Sequence, residues 1–314
     1  MIALIIIPIC LAIGLLLGGL YAYVQAFFSK GSKKNVNKYF EQNESFQNAK
    51  DNMKRMQEDV LSCPFEEIYI KSFDGTKLFG RYYHINDGAP LQILIHGYKG
   101  SAIRDMCGAH MLARQLGHNI LLVDQRGIGK SKGRTITFGV KERRDALEWI
   151  KHMSLKLNNP PIFVIGVSMG GAVSLMITDM DLPSNVVGTI ADCPYSSPKA
   201  IIKKVCIDRG MPEHIYPIVT IGALAYGHFN PNKEGAIKSV KASKIPILIL
   251  HGEKDSFVPC SMAREIYEAA NCEKRLYTFE NADHGTSYMT DPEKYEHAVR
   301  EFVEFCLKNR HRVD

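Results

Sequence analysis

The sequence predicts an α/β protein: a mostly parallel, doubly wound sheet with a small helical cap, preceded by an apolar N-terminal helix. Three observations support this. Short apolar runs alternate with amphipathic helical patterns from residue 65 onward, residues 2–28 carry no charge, and a polar segment separates the two. Strands that are apolar throughout are typical of parallel sheets covered on both faces. We therefore expect a transmembrane anchor at 2–28, a linker at 29–64 and a globular domain at 65–314, with a cap insertion at about 198–244.

The composition is that of an ordinary globular protein, with 46% apolar and 23% charged residues in a chain of 314. The net charge of +6 is mild and no basic tract with interleaved aromatic residues occurs, so we expect no nucleic-acid partner. The eight cysteines are scattered, without a CxxC pair or a close His/Cys cluster. This spacing favours neither a disulfide framework nor a metal site.

The stretch from Ile2 to Phe28 is long enough to cross a bilayer. As a helix it would extend about 40 Å, compared with about 30 Å for a hydrocarbon core. No Lys or Arg precedes it, whereas Lys30, Lys33 and Lys34 follow, so the positive-inside rule places the C-terminal side in the cytoplasm. A cleaved signal peptide and a buried core helix are the alternatives. We expect a single-pass anchor in the cell membrane with the remaining chain on the cytoplasmic side.

The elements of the globular domain follow one another in a regular alternation. A hairpin with an Asp-Gly turn is expected over residues 66–84. Apolar runs predict strands at 91–96, 119–124, 161–167, 186–192, 245–252 and 275–280, and helical patterns lie at 103–116, 140–157, 169–180 and 292–308, with a further helix from residue 261. Parallel strands joined by helices place all their carboxyl ends at one edge of the sheet, where ligands bind.

A Gly-Val-Ser-Met-Gly turn joins a strand to a helix at residues 166–170. Such a junction holds its central residue, Ser168, in a strained and exposed position at the carboxyl edge of the sheet. Gly166 and Gly170 leave room because neither carries a Cβ atom. For this motif alone, a small-residue turn with a capping serine is the alternative interpretation. A serine hydroxyl that acts as a nucleophile needs a base, and the base needs an orienting group.

Two further loops at the same edge carry a base and an acid. Asp255 and His284 each follow a predicted strand, which gives the chain order Ser168, Asp255, His284. In such a triad the histidine takes the serine proton and the carboxylate orients the histidine. Asp192, after the preceding strand, is the alternative acid. Asp283 is a poor candidate because neighbouring side chains on a loop usually diverge.

Two glycine-containing loops complete this edge. The loop "HGYKG", residues 96–100, follows a strand, and the backbone N–H of Tyr98 can join that of Met169 in an oxyanion hole. The stretch "GIGKS", residues 127–131, lacks the earlier glycine of a phosphate-binding loop, because Asp124 occupies that position. We interpret it as a tight supporting loop and expect no nucleotide, cofactor or metal.

The motifs "HGYKG", "DQRGIGKSKG", "GVSMGG", "HGEKDSFVP" and "ADHG" resemble those of the α/β-hydrolase superfamily, from about Glu66 to the C-terminus. The chain is most similar to the serine aminopeptidase-like and small-ester hydrolase branch, and its leader resembles, more loosely, those of bacterial membrane-anchored members. The resemblance implies the α/β-hydrolase fold and a serine hydrolase with a catalytic triad. Because no implied site residue precedes His96, hydrolysis of a small soluble ester should not need the leader.

The predicted cap indicates the class of substrate. Residues 198–244 carry eight Lys and Arg against three Asp and Glu, and the middle of the segment, residues 214–229, is strongly apolar. An apolar lining with a basic rim suits an acyl chain or a substrate at an anionic membrane surface, although a solvated helix face explains the charge equally well. We expect a small or lipid-like carboxylic ester or thioester as substrate. A serine aminopeptidase-type peptidase and a non-catalytic membrane-anchored binding protein of the same fold are the alternatives.

Overall fold

The computed structural model of the protein describes residues 2–31 and 44–309. Its centre is an eight-stranded sheet in the order β1-β2-β4-β3-β5-β6-β7-β8. The strands are β1 Glu66–Lys71, β2 Lys77–Tyr83, β3 Leu91–Ile95, β4 Asn119–Asp124, β5 Ile162–Val167, β6 Val186–Asp192, β7 Ile247–Gly252 and β8 Lys274–Phe279. Strand β2 pairs antiparallel with both β1 and β4, and all other neighbours are parallel. The predicted mostly parallel sheet is confirmed.

Helices cover both faces of the sheet, as the alternating pattern predicts. They are α1 Ile2–Ala26, α2 Glu44–Ser62, α3 Ala102–Gln115, α4 Glu142–Lys156, α5 Met169–Met176, α6 Pro198–Asp208, α7 Tyr216–Ala225, α8 Ala236–Val240, α9 Cys260–Ala269, α10 Ser287–Thr290 and α11 Pro292–Asn309. Every residue of β3, β4, β6 and β7 is buried, which explains why these strands are apolar without alternation. The connections place the carboxyl ends of β3, β5, β6, β7 and β8 along one edge.

Two hydrophobic cores hold the helices to the sheet. On one face, α3 and α11 pack against the central strands, with Phe163 and Phe302 both fully buried. On the other face, α4 and α5 do the same, and Trp149, 2% exposed, is the largest side chain of that core. Truncation of such a side chain to alanine costs about 3–5 kcal/mol. These cores fix the sheet as a rigid support for the loops at its carboxyl edge.

Helices α6 and α7 of the cap share a third core with the end of the N-terminal helix, whereas α8 packs in a fourth core with α5 and α9. Phe27 is fully buried in the third core, together with Val219 of α7 and Phe229. Helix α1 ends at Ala26, so the predicted boundary at residue 28 lies within a segment that packs on the globular domain. The predicted linker contains α2, whose Val60 side chain is 1% exposed. The division into anchor, linker and globular domain remains a prediction.

Residues 5–17 of helix α1 are exposed and almost entirely apolar. Over Ile5–Ala26, α1 is the one helix among the described residues whose length and composition suit a membrane span. At 1.5 Å per residue these 22 residues extend about 33 Å. The side chains of Ile5, Leu11 and Leu17 are each more than half exposed. Soluble proteins rarely expose a continuous apolar surface of this extent to water.

Candidate active site

Ser168 lies at a sharp turn between β5 and α5. Its backbone has φ 55° and ψ −116°, a conformation that is strained for a residue with a Cβ atom. A Cβ atom on Gly166 would lie 2.1 Å from the backbone of Gly170, and one on Gly170 would lie 2.0 Å from the Ile95 carbonyl oxygen. Glycine is therefore required on both sides. The turn has the geometry that the strand–turn–helix motif predicts.

Three side chains from separate loops form a continuous hydrogen-bonded chain. The Nε2 atom of His284 lies 2.9 Å from Ser168 Oγ, and its Nδ1 atom lies 2.8 Å from Asp255 Oδ2. All three are buried, with exposed fractions of 9% for Ser168, 3% for His284 and 6% for Asp255. When Nδ1–H donates to a carboxylate, Nε2 carries the lone pair that can accept a serine proton. The structure thus brings together the three residues that the sequence selects.

The carboxylate of Asp255 is surrounded by donors. Its Oδ1 atom accepts hydrogen bonds from the backbone N–H groups of Phe257 and Val258, at 3.0 and 2.7 Å. Its Oδ2 atom faces His284 and also lies 3.2 Å from His251 Nε2. Burial alone would raise the pKa of this carboxyl, but the two histidines outweigh that effect and hold its pKa below the ordinary value. The two histidines thus favour the ionised form of Asp255.

Two other carboxylates lie nearby with different contacts. Asp192 Oδ1 accepts from Ser287 Oγ at 3.4 Å. Burial, partly offset by the nearby histidines and by a hydrogen bond from Tyr295, raises the pKa of Asp192 to about 6. Asp283 Oδ1 accepts from the backbone N–H of His284 at 2.7 Å. Of the candidate acids, Asp255 is the one whose carboxylate reaches His284 Nδ1.

The HGYKG loop, residues 96–100, lies beside Ser168 after β3. Asp105 of α3 fixes its start, because Asp105 Oδ2 accepts from the Gly97 N–H at 3.1 Å. The Met169 N–H lies in the first turn of α5, where backbone donors have no helical acceptor. Among the described residues, neither this N–H nor that of Tyr98 donates a hydrogen bond.

A cavity of about 90 Å³ lies next to Ser168. Its walls include Met53, Tyr98, Met106, Cys107, Ile165, Phe257, Tyr288 and Met289. Within the part of the chain that the structure describes, no residue of 198–244 lines this cavity. The apolar middle of the cap packs instead against α1 and Phe27. The prediction that the cap lines the substrate site is therefore wrong for this cavity, and α3, α10 and the linker helix α2 form its apolar walls.

The GIGKS stretch, residues 127–131, is a tight loop behind the site. A Cβ atom on Gly129, which has φ 57°, would lie 2.0 Å from Asp124 Oδ2. That carboxylate accepts from the Lys130 N–H at 2.9 Å and pairs with Arg81 at 3.0 Å. The loop thus folds onto the end of β4 and leaves no cradle of N–H groups for a phosphate. This geometry agrees with the supporting role that the sequence predicts.

Cys193, Asp255 and His284 have ligand atoms within 4.8 Å of one another and form the one cluster with metal-ligand chemistry found among residues 2–31 and 44–309. Both ring nitrogens of His284 already take part in hydrogen bonds. Burial is the main cause that raises the pKa of the Cys193 thiol, and the negative charges of Asp192 and Asp255 raise it further. The thiolate form that a metal ion needs is therefore disfavoured. The arrangement fits a proton relay better than a metal site.

Three contributors to the site are not evident from the sequence. His251 contacts Asp255, although its only sequence signal is a position at a strand end. Asp105 fixes the HGYKG loop from one turn inside α3. Met53 of α2 lines the cavity although the sequence predicts a linker there. The amphipathic pattern of α2 is the sequence signal that this helix packs against the domain.

Comparison with known protein families agrees with this architecture. Residues 90–205 match the model of the alpha/beta hydrolase fold family, and residues 214–305 match the dienelactone hydrolase family. The first match contains the HGYKG loop and Ser168, and the second contains Asp255 and His284. The chain belongs to the α/β-hydrolase superfamily, and the matches support a hydrolase.

Relatives and solved structures extend the similarity over most of the chain. The chain is 25% identical to the uncharacterized protein YqkD of Bacillus subtilis, over 76% of this chain and 81% of that protein. It is 24% identical to protein bem46 of Schizosaccharomyces pombe, over 65% of this chain and 64% of that protein. An esterase from Pyrococcus furiosus superimposes with a TM-score of 0.63 at 24% identity, covering 78% of this chain and 92% of the esterase. An esterase from Exiguobacterium antarcticum superimposes with a TM-score of 0.57 at 21% identity, covering 76% and 100%.

Proposed function

We propose that this protein is a membrane-anchored serine hydrolase that cleaves carboxylic esters or thioesters through an acyl-enzyme intermediate. The observation that carries the proposal is the hydrogen-bonded series from Ser168 Oγ through His284 to Asp255. The strained backbone of Ser168 and the two available N–H groups beside it support the same chemistry. The two structural neighbours described above are esterases by name, which agrees with an ester substrate.

In the first half-reaction, Ser168 Oγ attacks the substrate carbonyl carbon while His284 Nε2 takes the hydroxyl proton. Negative charge develops on the carbonyl oxygen, and the N–H groups of Tyr98 and Met169 stabilise it; one such donor is worth about 10²–10³ in kcat. His284 then returns its proton to the leaving alcohol or thiol. The ionised Asp255 orients the ring and stabilises the imidazolium form.

In the second half-reaction, water takes the place of the leaving group. His284 Nε2 removes a proton from the water, the resulting hydroxide attacks the acyl carbonyl, and the same two N–H groups hold the oxyanion. Collapse of this intermediate releases the acid, and His284 returns the proton to Ser168 Oγ. The cycle uses only residues of this chain and water.

The walls of the cavity favour an apolar acyl group. Met106, Ile165 and Tyr288 present carbon atoms to the space beside Ser168. Asp105, which also lines it, accepts the Gly97 N–H and is paired with Arg104 at 2.7 Å, so its charge is already compensated. The other carboxylate of the cavity wall, Asp192, accepts hydrogen bonds from Ser287 and Tyr295, and its burial disfavours the charged form. A substrate α-ammonium would need an exposed and uncompensated carboxylate. The site therefore suits a short acyl chain better than an aminopeptidase substrate.

The membrane location is proposed from α1. A cleaved signal peptide would take with it Gly19, which touches the backbone of Gly222 in the cap, and Leu16, whose carbonyl oxygen accepts from Tyr226; these contacts favour retention of the helix. Three basic residues, Lys30, Lys99 and Arg209, lie near one another at the C-terminal end of α1. Burial lowers the pKa of Lys99, and the nearby positive charges of Arg209 and Lys30 lower it further. Basic groups at this position suit the anionic cytoplasmic surface of a membrane. We therefore propose that the catalytic domain lies on the cytoplasmic side.

The test of the serine mechanism is covalent labelling of the full chain in detergent with a fluorophosphonate probe. We expect the wild-type protein to be labelled and Ser168→Ala to remain unlabelled with an unchanged thermal unfolding midpoint. Ser174→Ala is the matched control, because Ser174 lies in the same helix, fully buried and away from His284. Labelling of Ser168→Ala at the wild-type rate, or none of the wild type, would contradict the mechanism and favour the binding-protein alternative.

A second experiment separates the two enzyme classes. Rates on acyl esters and thioesters of increasing chain length are compared with rates on aminoacyl amides of matched leaving group. We expect kcat/KM to be highest for short acyl esters, because the cavity beside Ser168 is small and apolar. A clear preference for aminoacyl amides would replace the ester proposal by a peptidase.

A further inference from the structure

The end of the N-terminal helix is part of the hydrolase core. The Phe27 ring packs edge-on against Phe138 and Phe229, with centroids 5.8 and 5.0 Å away. Directly after it, Ser29 Oγ donates to the Gly127 carbonyl oxygen at 2.6 Å, and Phe28 forms a β-bridge with Thr135. These contacts place the last turn of α1 in one position relative to the catalytic edge of the sheet.

A close contact with the cap holds the preceding turns of α1. A Cβ atom on Gly222 of α7 would lie 2.3 Å from the Gly19 carbonyl oxygen, so the two backbones touch. One turn before this contact, the Leu16 carbonyl oxygen accepts a hydrogen bond from Tyr226 at 3.0 Å. Small residues at such a crossing permit the approach that fixes two helices firmly. Contacts with α7 therefore fix the direction in which α1 approaches the active site.

The HGYKG loop is tied to this helix end by two side chains. The Tyr98 hydroxyl donates to the Ala26 carbonyl oxygen at 2.5 Å, and Lys99 Nζ donates to the Gln25 carbonyl oxygen at 3.3 Å. Carbonyls of a last helical turn lack helical donors, and a cation is favourable there. Burial raises the pKa of Tyr98, which keeps its hydroxyl protonated as a donor.

The loop needs external support to keep its shape. Lys99 has φ 48°, a left-handed conformation that a non-glycine residue adopts only when its surroundings stabilise it. Asp105 fixes the start of the loop through the Gly97 N–H. The Tyr98 ring stacks on Phe138, with centroids 4.8 Å apart, and Phe138 in turn contacts the end of α1. The Tyr98 N–H therefore belongs to a loop that Asp105 of α3 holds on one side and the end of α1 holds on the other.

We propose that the last turn of α1 positions the HGYKG loop for catalysis, and that the Tyr98 hydroxyl is the positioning group that transmits this. The inference rests on the proposed function, since the loop matters through the oxyanion that the Tyr98 N–H receives. An oxyanion donor is effective only when it points at the developing charge, and a displacement of 1 Å costs up to about 10² in rate. The membrane helix is then a component of the active site as well as an anchor.

This arrangement leads to an expectation that differs from the one drawn from the sequence. Removal of the leader would remove the carbonyl groups of Gln25 and Ala26 and expose the pocket of Phe27. A soluble chain without these residues should therefore lose activity even on a small soluble ester.

The test uses the full chain in detergent and two tyrosine variants. Tyr98→Phe removes the hydroxyl but keeps the ring and the backbone N–H. Tyr23→Phe is the matched control, because the Tyr23 hydroxyl also joins α1 to the domain, through Thr135 Oγ1 at 2.7 Å, without contacting the loop. We expect kcat of Tyr98→Phe on a short ester to fall about tenfold while KM changes less than about twofold. The pH dependence of kcat should be unchanged, since His284 and Asp255 are untouched.

Tyr23→Phe should keep kcat and KM within about twofold of wild type. A wild-type kcat for Tyr98→Phe, or an equal loss in both variants, would overturn the inference while leaving a serine-dependent wild-type activity intact. If Tyr98→Phe does not fold, Lys99→Met removes the neighbouring contact to Gln25: a lowered kcat then supports the inference, and an unchanged kcat overturns it. Failure of the proposed function would instead appear as wild-type protein that resists fluorophosphonate labelling.

Discussion

The imidazole of His284 lies between Asp255 and Ser168, with Nδ1 2.8 Å from the carboxylate and Nε2 2.9 Å from the hydroxyl. The carboxylate of Asp192, at the end of the neighbouring strand β6, accepts instead from Ser287 and Tyr295. Both aspartates occupy positions from which a sheet of this type can supply an acid. The orientation of their carboxylates, and not their position in the chain, distinguishes them.

Replacement of the two aspartates should therefore have unequal effects on catalysis. Asp255→Asn should lower kcat by about 10⁴-fold, because an amide in place of the carboxylate favours the wrong histidine tautomer. Asp192→Asn and Asp283→Asn should each lower it less than about tenfold. Steady-state kinetics of the three variants on one ester measure this directly. Our assignment of the acid is wrong if Asp192→Asn is the most damaging.

Much of this site follows from the sequence, for a physical reason. The central strands are largely apolar, so their ends are visible in the sequence, and Ser168, Asp255 and His284 lie one, three and five residues after the ends of β5, β7 and β8. Parallel connectivity then brings Ser168, Asp255 and His284 to one edge, whatever the details of the helices. Conversely, the His251 and Met53 contacts depend on side-chain directions and on the docking of α2, which no local pattern encodes.

Asp192 should also make the stability of the protein depend on pH. Its pKa is raised to about 6 in the folded chain from an ordinary value of 3.8, so the folded state binds the proton more tightly than the unfolded state. The free energy of unfolding should therefore fall as pH rises from about 4 to about 6, by as much as about 3 kcal/mol, and stay reduced above that. Denaturant unfolding of wild type and Asp192→Asn at pH 5 and pH 8 measures this. Asp192→Asn should gain more unfolding free energy relative to wild type at pH 8 than at pH 5. A larger gain at pH 5 would show that the pKa of Asp192 is not raised in the folded state.

The turn at Ser168 should tolerate no side chain at its glycines. Gly170→Ala places a Cβ atom 2.0 Å from the Ile95 carbonyl oxygen, so β3 or α5 must move. We expect a loss of about 3 kcal/mol or more in unfolding free energy and no measurable labelling of Ser168. Gly108→Ala is the control, because its Cβ atom would lie 3.2 Å from the Tyr288 ring and α3 gains helix propensity. Equal stability of the two variants would contradict the packing argument.

The N-terminal helix marks the limit of prediction from sequence. Its apolar length is visible, but a pattern of apolar residues is the same whether they face lipid or protein. The contact between Gly19 and Gly222 joins segments about 200 residues apart, and it depends on how the cap packs on the rest of the domain, which no local sequence pattern encodes. The same holds for the apolar middle of the cap, which packs on α1 and Phe27 and not on the cavity beside Ser168.

The anchor itself can be tested separately from catalysis. If α1 spans the bilayer, high salt should not extract the full chain from membranes, whereas detergent should, because insertion of an apolar helix of 22 residues is effectively irreversible. A variant with Leu11→Lys and Leu17→Lys on the exposed face provides the control: two charges at membrane depth should move the protein to the soluble fraction. External protease on intact cells should leave the hydrolase domain uncut, since the lysines after α1 favour the cytoplasmic side. Digestion of the domain would reverse the orientation, and a mature N-terminus after Leu20 would replace the anchor by a signal peptide.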